Sequence, residues 1–276
     1  MTIVSINETE NPIRSRMIPI KEKQDIYIPN IVDKNIPNRN GMITVYTGSG
    51  GSGKTSLMLN MFQNKNRYRG KFDNIYYICP MASFLSVDKH PFEGHDKVYH
   101  ELTLDVLEEI YQSLIKIKTD KEDIKQRNKD RKNKKGTDFH EEEEGDEVGE
   151  KEKELPIQYS CIIIDDFADT IKEVDIQRQL NKMLIKARHL CCAFCFTLQS
   201  YFMMPKLFRK QITNIIIFKP KNVEEWYTIS SELMNLSKTD AMLVFNYIFN
   251  EPYAHLDIDT VLNKYYKNFN ALEFLK

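Results

Sequence analysis

Short apolar runs alternate along this chain with segments in which apolar residues recur at helical spacing. The runs predict β-strands at 42–46, 72–79, 159–164, 192–198, 214–218 and 253–258. The periodic segments predict helices at 54–64, 102–117, 174–190, 203–210, 222–234, 238–249 and 260–269. Strands that are apolar throughout are typical of a parallel sheet covered on both faces. We therefore predict an α/β fold with a mostly parallel, doubly wound central sheet and helices on both faces.

Two segments break this alternation. Residues 1–40 place four prolines between short apolar pieces, which predicts an extended N-terminal arm. Residues 116–135 are rich in lysine and arginine, and residues 138–154 are rich in glutamate and aspartate. Such composition cannot bury enough apolar surface to offset the entropy of ordering it. We predict one domain over 41–276, interrupted at 118–155 by a charged, disordered insertion that is either a solvated linker or a docking segment.

Composition narrows the class of protein. The 276 residues carry a formal net charge of -1, so any contact with nucleic acid must come from a local patch or from assembly into a ring. The mean hydropathy is -0.49, and we expect neither a membrane span nor a secretory signal. The five cysteines suit buried, reduced thiols. A zinc site at Cys192 and Cys195 is the weaker alternative, since no second pair is near in sequence.

A glycine-rich segment between the first predicted strand and helix has the pattern G-x-x-x-x-G-K-[ST] without mismatch. Glycine lets the backbone N–H groups point inward at phosphates, and the positive end of the following helix adds to the attraction. The lysine can reach the β- and γ-phosphates, and the threonine hydroxyl can hold Mg²⁺. The predicted ATP-binding residues are Gly48, Ser49, Gly50, Gly51, Ser52, Gly53, Lys54 and Thr55.

Two acids follow the buried strand 159–164. Asp165 is predicted to lie beside the phosphates and to hold Mg²⁺ with Thr55, and Asp166 to polarise an attacking water. Apolar strands that end in two acids are common, but downstream of a complete phosphate loop the pattern becomes specific. Many nucleotide kinases and GTPases lack the second acid, whereas hydrolytic motor ATPases usually have it.

Three further residues are candidates for the catalytic set. Gln199 follows the next strand, where its amide can hold the lytic water and sense the γ-phosphate; the alternative is an ordinary polar strand end. Arg188 and Arg209 each end a helix, where a cation is favourable in itself. The functional hypothesis is that one of these arginines reaches a γ-phosphate in a neighbouring subunit.

The order of these motifs resembles the poxvirus-type genome-packaging ATPases of large DNA viruses and virophages, a branch of the FtsK/HerA superfamily. The resemblance covers residues 40–260, and Lys54, Thr55, Asp165, Asp166 and Gln199 match its pattern position by position. It implies a RecA-like P-loop NTPase fold, hydrolysis of Mg·ATP, a homo-oligomeric ring and translocation of double-stranded DNA into a preformed capsid. Partners at the capsid portal or vertex, and a location in the host cytoplasm or the virion, are implied as well. The long charged insertion departs from the pattern.

Other classes of function stay open. A nucleotide or small-molecule kinase needs an acceptor pocket and an arginine-rich lid, and no such lid is evident. A nucleotide-dependent switch does not require Asp166 and Gln199. A helicase is a near relative, but strand-separating motifs are not evident.

Overall fold

In the computed structural model of this protein, the described residues are 27–134 and 155–274. The strands within them are β1 Ile43–Thr47, β2 Asn74–Ile78, β3 Val98–Tyr99, β4 Ser160–Asp165, β5 Cys192–Leu198, β6 Asn214–Phe218, β7 His255–Asp259, β8 Lys264–Lys267 and β9 Asn270–Leu272. The helices are α1 Lys54–Gln63, α2 Met81–Leu85, α3 Leu104–Lys134, α4 Val174–Ile185, α5 Lys206–Arg209, α6 Val223–Met234 and α7 Lys238–Ile248. Each of the six predicted strands coincides with an observed one.

The strands form one sheet in the order β3-β2-β4-β5-β1-β6-β7-β8-β9. The first six strands are parallel, and β7, β8 and β9 continue the sheet antiparallel. This confirms the mostly parallel sheet. Strand β5 lies between β1 and β4, so the carboxyl ends of all three strands meet at one edge. In this register Asp165 pairs with Thr197, and Thr47 pairs with Leu198.

Helices cover both faces of the sheet, as predicted. Along β1, Ile43 and Val45 face the apolar layer that includes buried residues of α3, α4, α6 and α7. Met42 and Tyr46 face the opposite layer, which includes the buried residues of α1. This alternation buries β1 completely and holds its carboxyl end rigid.

The predicted last helix at 260–269 is wrong. Residues 264–272 form the hairpin of β8 and β9, in which Lys267 pairs with Asn270. Asn268 and Phe269, the two residues between them, have φ of 50° and 63°. Two consecutive positive φ angles are the mark of a tight hairpin turn, and asparagine tolerates that conformation well. The turn residues and the two adjacent tyrosines of β8 outweigh the helical spacing of the apolar positions.

The structure describes part of each of the two segments, 1–40 and 118–155, that interrupt the predicted alternation. Residues 27–40 pack on the sheet, where Ile28 and Ile36 are buried. Residues 118–134 continue α3, whose 31 residues span about 46 Å. Residues 1–26 and 135–154 lie outside the described residues, so the extended arm there and the disorder of the remaining insertion stay predictions.

Candidate active site

The loop between β1 and α1 bends at glycines whose backbone conformations other residues rarely adopt. Gly48, Gly51 and Gly53 have φ of 151°, 73° and 98°. A Cβ on Gly48 would come within 2.7 Å of the Phe218 Cβ, so the loop lies directly against β6. The predicted phosphate residues therefore form one tight turn that leads into the N-terminus of α1, where free N–H groups favour an anion.

Lys54 is the first residue of α1, and its side chain is held over this loop. The Nζ atom donates a hydrogen bond to the Ser49 carbonyl oxygen at 2.8 Å. Burial lowers the pKa of Lys54, and the negative charges of Asp165 and Asp166 oppose that shift. A partly desolvated cation between a phosphate loop and two carboxylates can attract an anionic ligand strongly.

Asp165 is the most connected side chain of the site. It is 1% exposed, and its Oδ1 accepts hydrogen bonds from the Thr55 hydroxyl at 3.2 Å and from the Thr197 hydroxyl. Its Oδ2 accepts a hydrogen bond from the Tyr77 hydroxyl at 2.8 Å. The structure thus brings together Thr55 and Asp165, the two residues predicted to hold the metal.

The chemistry of this donor set fits Mg²⁺ bound together with a nucleotide. Thr55 and Asp165 supply hard oxygen atoms, which Mg²⁺ prefers. Within residues 27–134 and 155–274, no group of three or more histidine, cysteine, aspartate or glutamate side chains could hold a metal by itself. Mg²⁺ at such sites is usually bound by one or two protein oxygens, with phosphate oxygens and water completing its shell.

The side chains that support Asp165 were not predicted from the sequence. Burial, and then the charge of Asp165, raises the pKa of Tyr77, so its hydroxyl remains a donor. The same two causes raise the pKa of Cys79 to about 12, so its thiol stays neutral 3.9 Å from Asp165 Oδ2. His90 Nε2 lies 3.3 Å from the Tyr77 hydroxyl. The sequence does show a tyrosine inside an apolar strand at position 77. Its hydrogen-bond partner, Asp165, becomes evident only from the pairing of β2 with β4.

Asp166 lies at the exposed rim of the site. Its backbone adopts φ of 63°, and its N–H donates a hydrogen bond to Thr197 Oγ1 at 3.1 Å. Its Oδ2 accepts a hydrogen bond from Ser83 Oγ at 3.1 Å, and its Oδ1 accepts one from Gln199 Nε2 at 3.4 Å. The structure therefore brings the predicted base and the predicted sensor into contact. Ser83 and Thr197 were not predicted.

The segment that follows Gln199 is tied to α6. Ser200 Oγ donates a hydrogen bond to Glu225 Oε1 at 2.9 Å, and the Tyr201 backbone N–H donates to the same oxygen at 2.5 Å. Glu225 is 7% exposed. Because both bonds reach one buried carboxylate oxygen, the end of β5 and the first turn of α6 are mechanically connected.

Arg188 lies at the opposite edge of the sheet from the phosphate loop. A Cβ on Gly41, which precedes β1, would meet the Arg188 backbone N at 2.5 Å. Gly41 and Gly48 are separated by the length of β1, roughly 20 Å at the usual rise per residue. Arg188 is exposed, and no hydrogen bond or ion pair of its side chain occurs with the described residues. Within one chain it cannot reach the loop.

Arg209 is held by its own chain. Its Nε donates a hydrogen bond to the Met204 carbonyl oxygen at 3.1 Å, and its guanidinium lies 3.7 Å from Glu232 Oε2. The guanidinium carbon also lies 4.4 Å from the centre of the Tyr201 ring. These contacts give Arg209 a structural role below the β5–α6 connection, and the structure does not bring it to the phosphate loop.

The cysteines and the helices of the described residues bear on the predictions about metals and membranes. All five cysteines are free, and four of them are buried, as expected for reduced core thiols. None of the helices formed by residues 27–134 and 155–274 combines the length and apolar character needed to cross a bilayer.

The sequence matches no protein-family model and no curated protein. Among solved structures, the chain is similar to B204, the DNA-packaging ATPase of Sulfolobus turreted icosahedral virus, with 17% identity over 82% of this chain and 96% of that one and a TM-score of 0.52. It is also similar to the pCW3 conjugation coupling protein TcpA bound to ATPγS, with 13% identity over 85% of this chain and 60% of that one and a TM-score of 0.50. At these identities the likeness shows a shared fold alone, and this is the RecA-like P-loop fold that the resemblance implied.

Proposed function

We propose that this chain is an ATP-hydrolysing motor that translocates double-stranded viral DNA into a preformed capsid. The observation that carries the proposal is the grouping of Asp165, Asp166 and Gln199 beside a complete phosphate loop. A nucleotide switch does not need an exposed carboxylate and an amide at this edge. The fold shared with a viral DNA-packaging ATPase supports the choice of a motor over a kinase.

In the proposed reaction, water attacks the γ-phosphorus of ATP, and the bond from that phosphorus to the bridging oxygen breaks to release ADP. Asp166 accepts the proton of the attacking water, and Gln199 orients that water through its amide. Lys54 neutralises charge on the β- and γ-phosphates. Thr55 and Asp165 are the residues that would hold Mg²⁺, which supplies further positive charge at the phosphates when bound.

The contact of Gln199 with Asp166 offers a route from chemistry to movement. The attacking water that Asp166 and Gln199 would hold is consumed in the reaction, so Gln199 loses that partner and can shift once the γ-phosphate has left. Gln199 adjoins Ser200 and Tyr201, which are bonded to Glu225 of α6. We place the conversion of phosphate release into movement at this connection, ahead of surfaces that contact double-stranded DNA.

The catalytic arginine is proposed to come from a neighbouring subunit of a homo-oligomeric ring. Arg188 is the better of the two candidates, because it is exposed and its side chain has no partner among the described residues. The side chain of Arg209 is already engaged within its own chain, through contacts with Met204, Glu232 and Tyr201. A ring in which the amino edge of one sheet meets the phosphate loop of the next would bring Arg188 to the neighbour's γ-phosphate.

The partners and the location follow from this function. The ring would act at the capsid portal or vertex, and so would be found in the host cytoplasm during assembly or in the virion. Near-neutral net charge does not oppose this, because only residues that face the DNA channel need to be basic.

The primary test is ATP hydrolysis by the full chain with and without double-stranded DNA, single-stranded DNA and candidate phosphate acceptors. We expect hydrolysis that double-stranded DNA stimulates, and we expect Lys54→Ala to abolish it. Phosphate transfer to an acceptor without release of inorganic phosphate would support a kinase and overturn the motor. ATP binding without turnover under any of these conditions would support a switch.

The arginine assignment is tested by mixing subunits. Arg188→Ala should lower turnover by about 10³-fold while ATP binding is retained. Mixed with Lys54→Ala, which is inactive for a different reason, it should recover part of the activity, because some interfaces then pair an intact loop with an intact arginine. Arg209→Ala serves as the comparison and should lose stability rather than show complementation. Rings shown to be mixed but inactive would refute the role of Arg188 in trans.

A further inference from the structure

A cavity of about 600 Å³ adjoins the phosphate loop on the side of β6 and β7. One wall is the start of α1, with Lys54, Thr55 and Asn60, and the other consists of Phe218, Tyr253 and His255. Its volume lies within the usual range for small-molecule sites, and its lining combines aromatic rings with a few polar groups. The mechanism proposed above uses only the phosphate end of this cavity.

Tyr253 dominates the aromatic wall in an unusual conformation. Its φ is 62°, a left-handed value that is strained for a bulky residue, and such strain often marks a functional position. The side chain is 71% exposed, so burial of the ring does not account for the conformation. The ring nevertheless lies over the loop: a Cβ on Gly53 would be 3.2 Å from Tyr253 Cδ1.

The segment that carries Tyr253 is anchored by the C-terminal hairpin. Lys267 Nζ donates hydrogen bonds to the Tyr247 carbonyl oxygen at 3.0 Å and to Asn250 Oδ1 at 2.8 Å, and it lies 3.7 Å from Glu251 Oε1. Asn268 Nδ2 donates a further hydrogen bond to Glu251 Oε1 at 3.3 Å. These contacts fix both the end of α7 and the residues before Tyr253, so the exposed ring projects from a rigid support.

The floor of the cavity is also aromatic. The rings of Phe218 and His255 are packed with their centres 5.3 Å apart, and both side chains are largely buried. The cavity is therefore continuous with the phosphate loop at one end, has an aromatic floor, and presents the exposed ring of Tyr253 at the other end. This arrangement matches the shape of a nucleotide whose phosphates lie on the loop and whose base lies against the Tyr253 ring.

We propose that this cavity binds the nucleoside half of ATP and that Tyr253 stacks on the base. The inference rests on the proposed function, because it takes the phosphate loop as the site of the triphosphate. Stacking recognises any base by its flat face, so Tyr253 contributes affinity for nucleotides over inorganic phosphates rather than selection among bases. The hairpin of β8 and β9 acts as the support that keeps the ring in place.

The test measures dissociation constants of the full chain for ATP and for inorganic tripolyphosphate by calorimetry. Tyr253→Ala should weaken ATP binding by about 5- to 150-fold, the range found when a stacking aromatic is truncated. Binding of tripolyphosphate should be unchanged, and Tyr253→Phe should behave as the wild type because the ring is retained. Leu243→Ala removes a comparably exposed apolar side chain of α7, 67% exposed, away from the cavity and serves as the matched control.

The possible results distinguish a failure of the proposed base site from a failure of the proposed phosphate site. Equal weakening of ATP and tripolyphosphate, or no weakening of ATP, would overturn the role of Tyr253 while leaving the proposed function intact. A wild-type chain that binds neither ligand would overturn the proposed function and the base site together. If Tyr253→Ala does not fold, Tyr253→Gly removes the same ring and adopts the left-handed backbone without strain.

Discussion

Replacing Asp166 with asparagine should separate catalysis from binding at the proposed site. The substitution keeps the size of the side chain and removes its negative charge, and with that charge the ability to accept a proton. Asparagine also tolerates the left-handed backbone of this position, where φ is 63°. Its amide oxygen can still accept the Ser83 hydrogen bond, and Gln199 can rotate its amide to accept from the new Nδ2.

The expected loss follows from these contacts. A positioned general base contributes about 10²- to 10⁴-fold to a rate, so turnover should fall by that factor. The partners of Asp166 are Ser83, Gln199 and Thr197, none of which belongs to the phosphate loop. The three hydroxyl groups that donate to Asp165 keep their hydrogen bonds. ATP affinity should therefore stay at or above that of the wild type, because the charge that is removed would repel the phosphates. Because the side chain is exposed, stability should change by no more than about 0.5 kcal/mol.

The assay combines steady-state release of phosphate with a binding titration and a melting curve on the same preparation. Asp169→Asn is the matched control: its carboxylate is three residues away, its side chain is 94% exposed, and it pairs only with Lys172 among the described residues. It should hydrolyse ATP at the wild-type rate. Wild-type turnover by Asp166→Asn would refute the assignment of the general base, and loss of ATP binding would show that Asp166 acts on the ground state instead.

For three further changes to the chain, the structure gives the direction of the effect on stability or hydrolysis. Tyr77→Phe removes one hydrogen bond to buried Asp165, so it should lower the free energy of unfolding by about 1.5–3 kcal/mol in denaturant melts. In a Mg²⁺ titration, the same substitution should raise the Mg²⁺ concentration for half-maximal hydrolysis by about 10-fold. Burial raises the pKa of Asp257 from its ordinary value of 3.8, so folding favours the protonated form and stability is lost as pH rises above that value. Asp257→Asn should therefore melt above the wild type at pH 8 and close to it near pH 4, with about 1.4 kcal/mol for each pKa unit; a constant difference would contradict the linkage. Replacing 118–154 with a short Gly/Ser linker should lower the melting midpoint only slightly, because the buried apolar residues among the described side chains of α3 lie between Leu107 and Leu114 and the buried residue of the segment is the polar Asn128; a large drop would show that the segment contributes to the core.

The sequence predicted those parts of the site that are local in the chain. The phosphate loop is one uninterrupted segment between a strand and a helix, so its residues could be assigned from spacing alone. Asp165 and Asp166 could be placed because the carboxyl ends of parallel strands meet at one edge. The mostly parallel sheet followed from the uniformly apolar strands, and the structure confirms it.

The parts that could not be predicted depend on contacts between distant segments. Tyr77 donates a hydrogen bond to Asp165 only because β2 pairs with β4, which places Tyr77 beside Ile163. Ser83 reaches Asp166 from the short helix α2, for which the sequence showed no clear periodicity. The hairpin of β8 and β9 was mistaken for a helix because its apolar spacing fits both, and the left-handed turn residues decided the outcome.

The position of β5 between β1 and β4 explains how one strand can serve several roles. Thr197, its second-to-last residue, donates a hydrogen bond to Asp165 and accepts one from the backbone of Asp166. Gln199, two residues later, contacts the side chain of Asp166, and the next residue is bonded to Glu225 of α6. The contacts to the proposed metal ligand, to the proposed base and to α6 therefore all come from residues 197–200 at the end of one strand. A shift of Gln199 can reach α6 through adjacent residues without any change in the packing of the sheet.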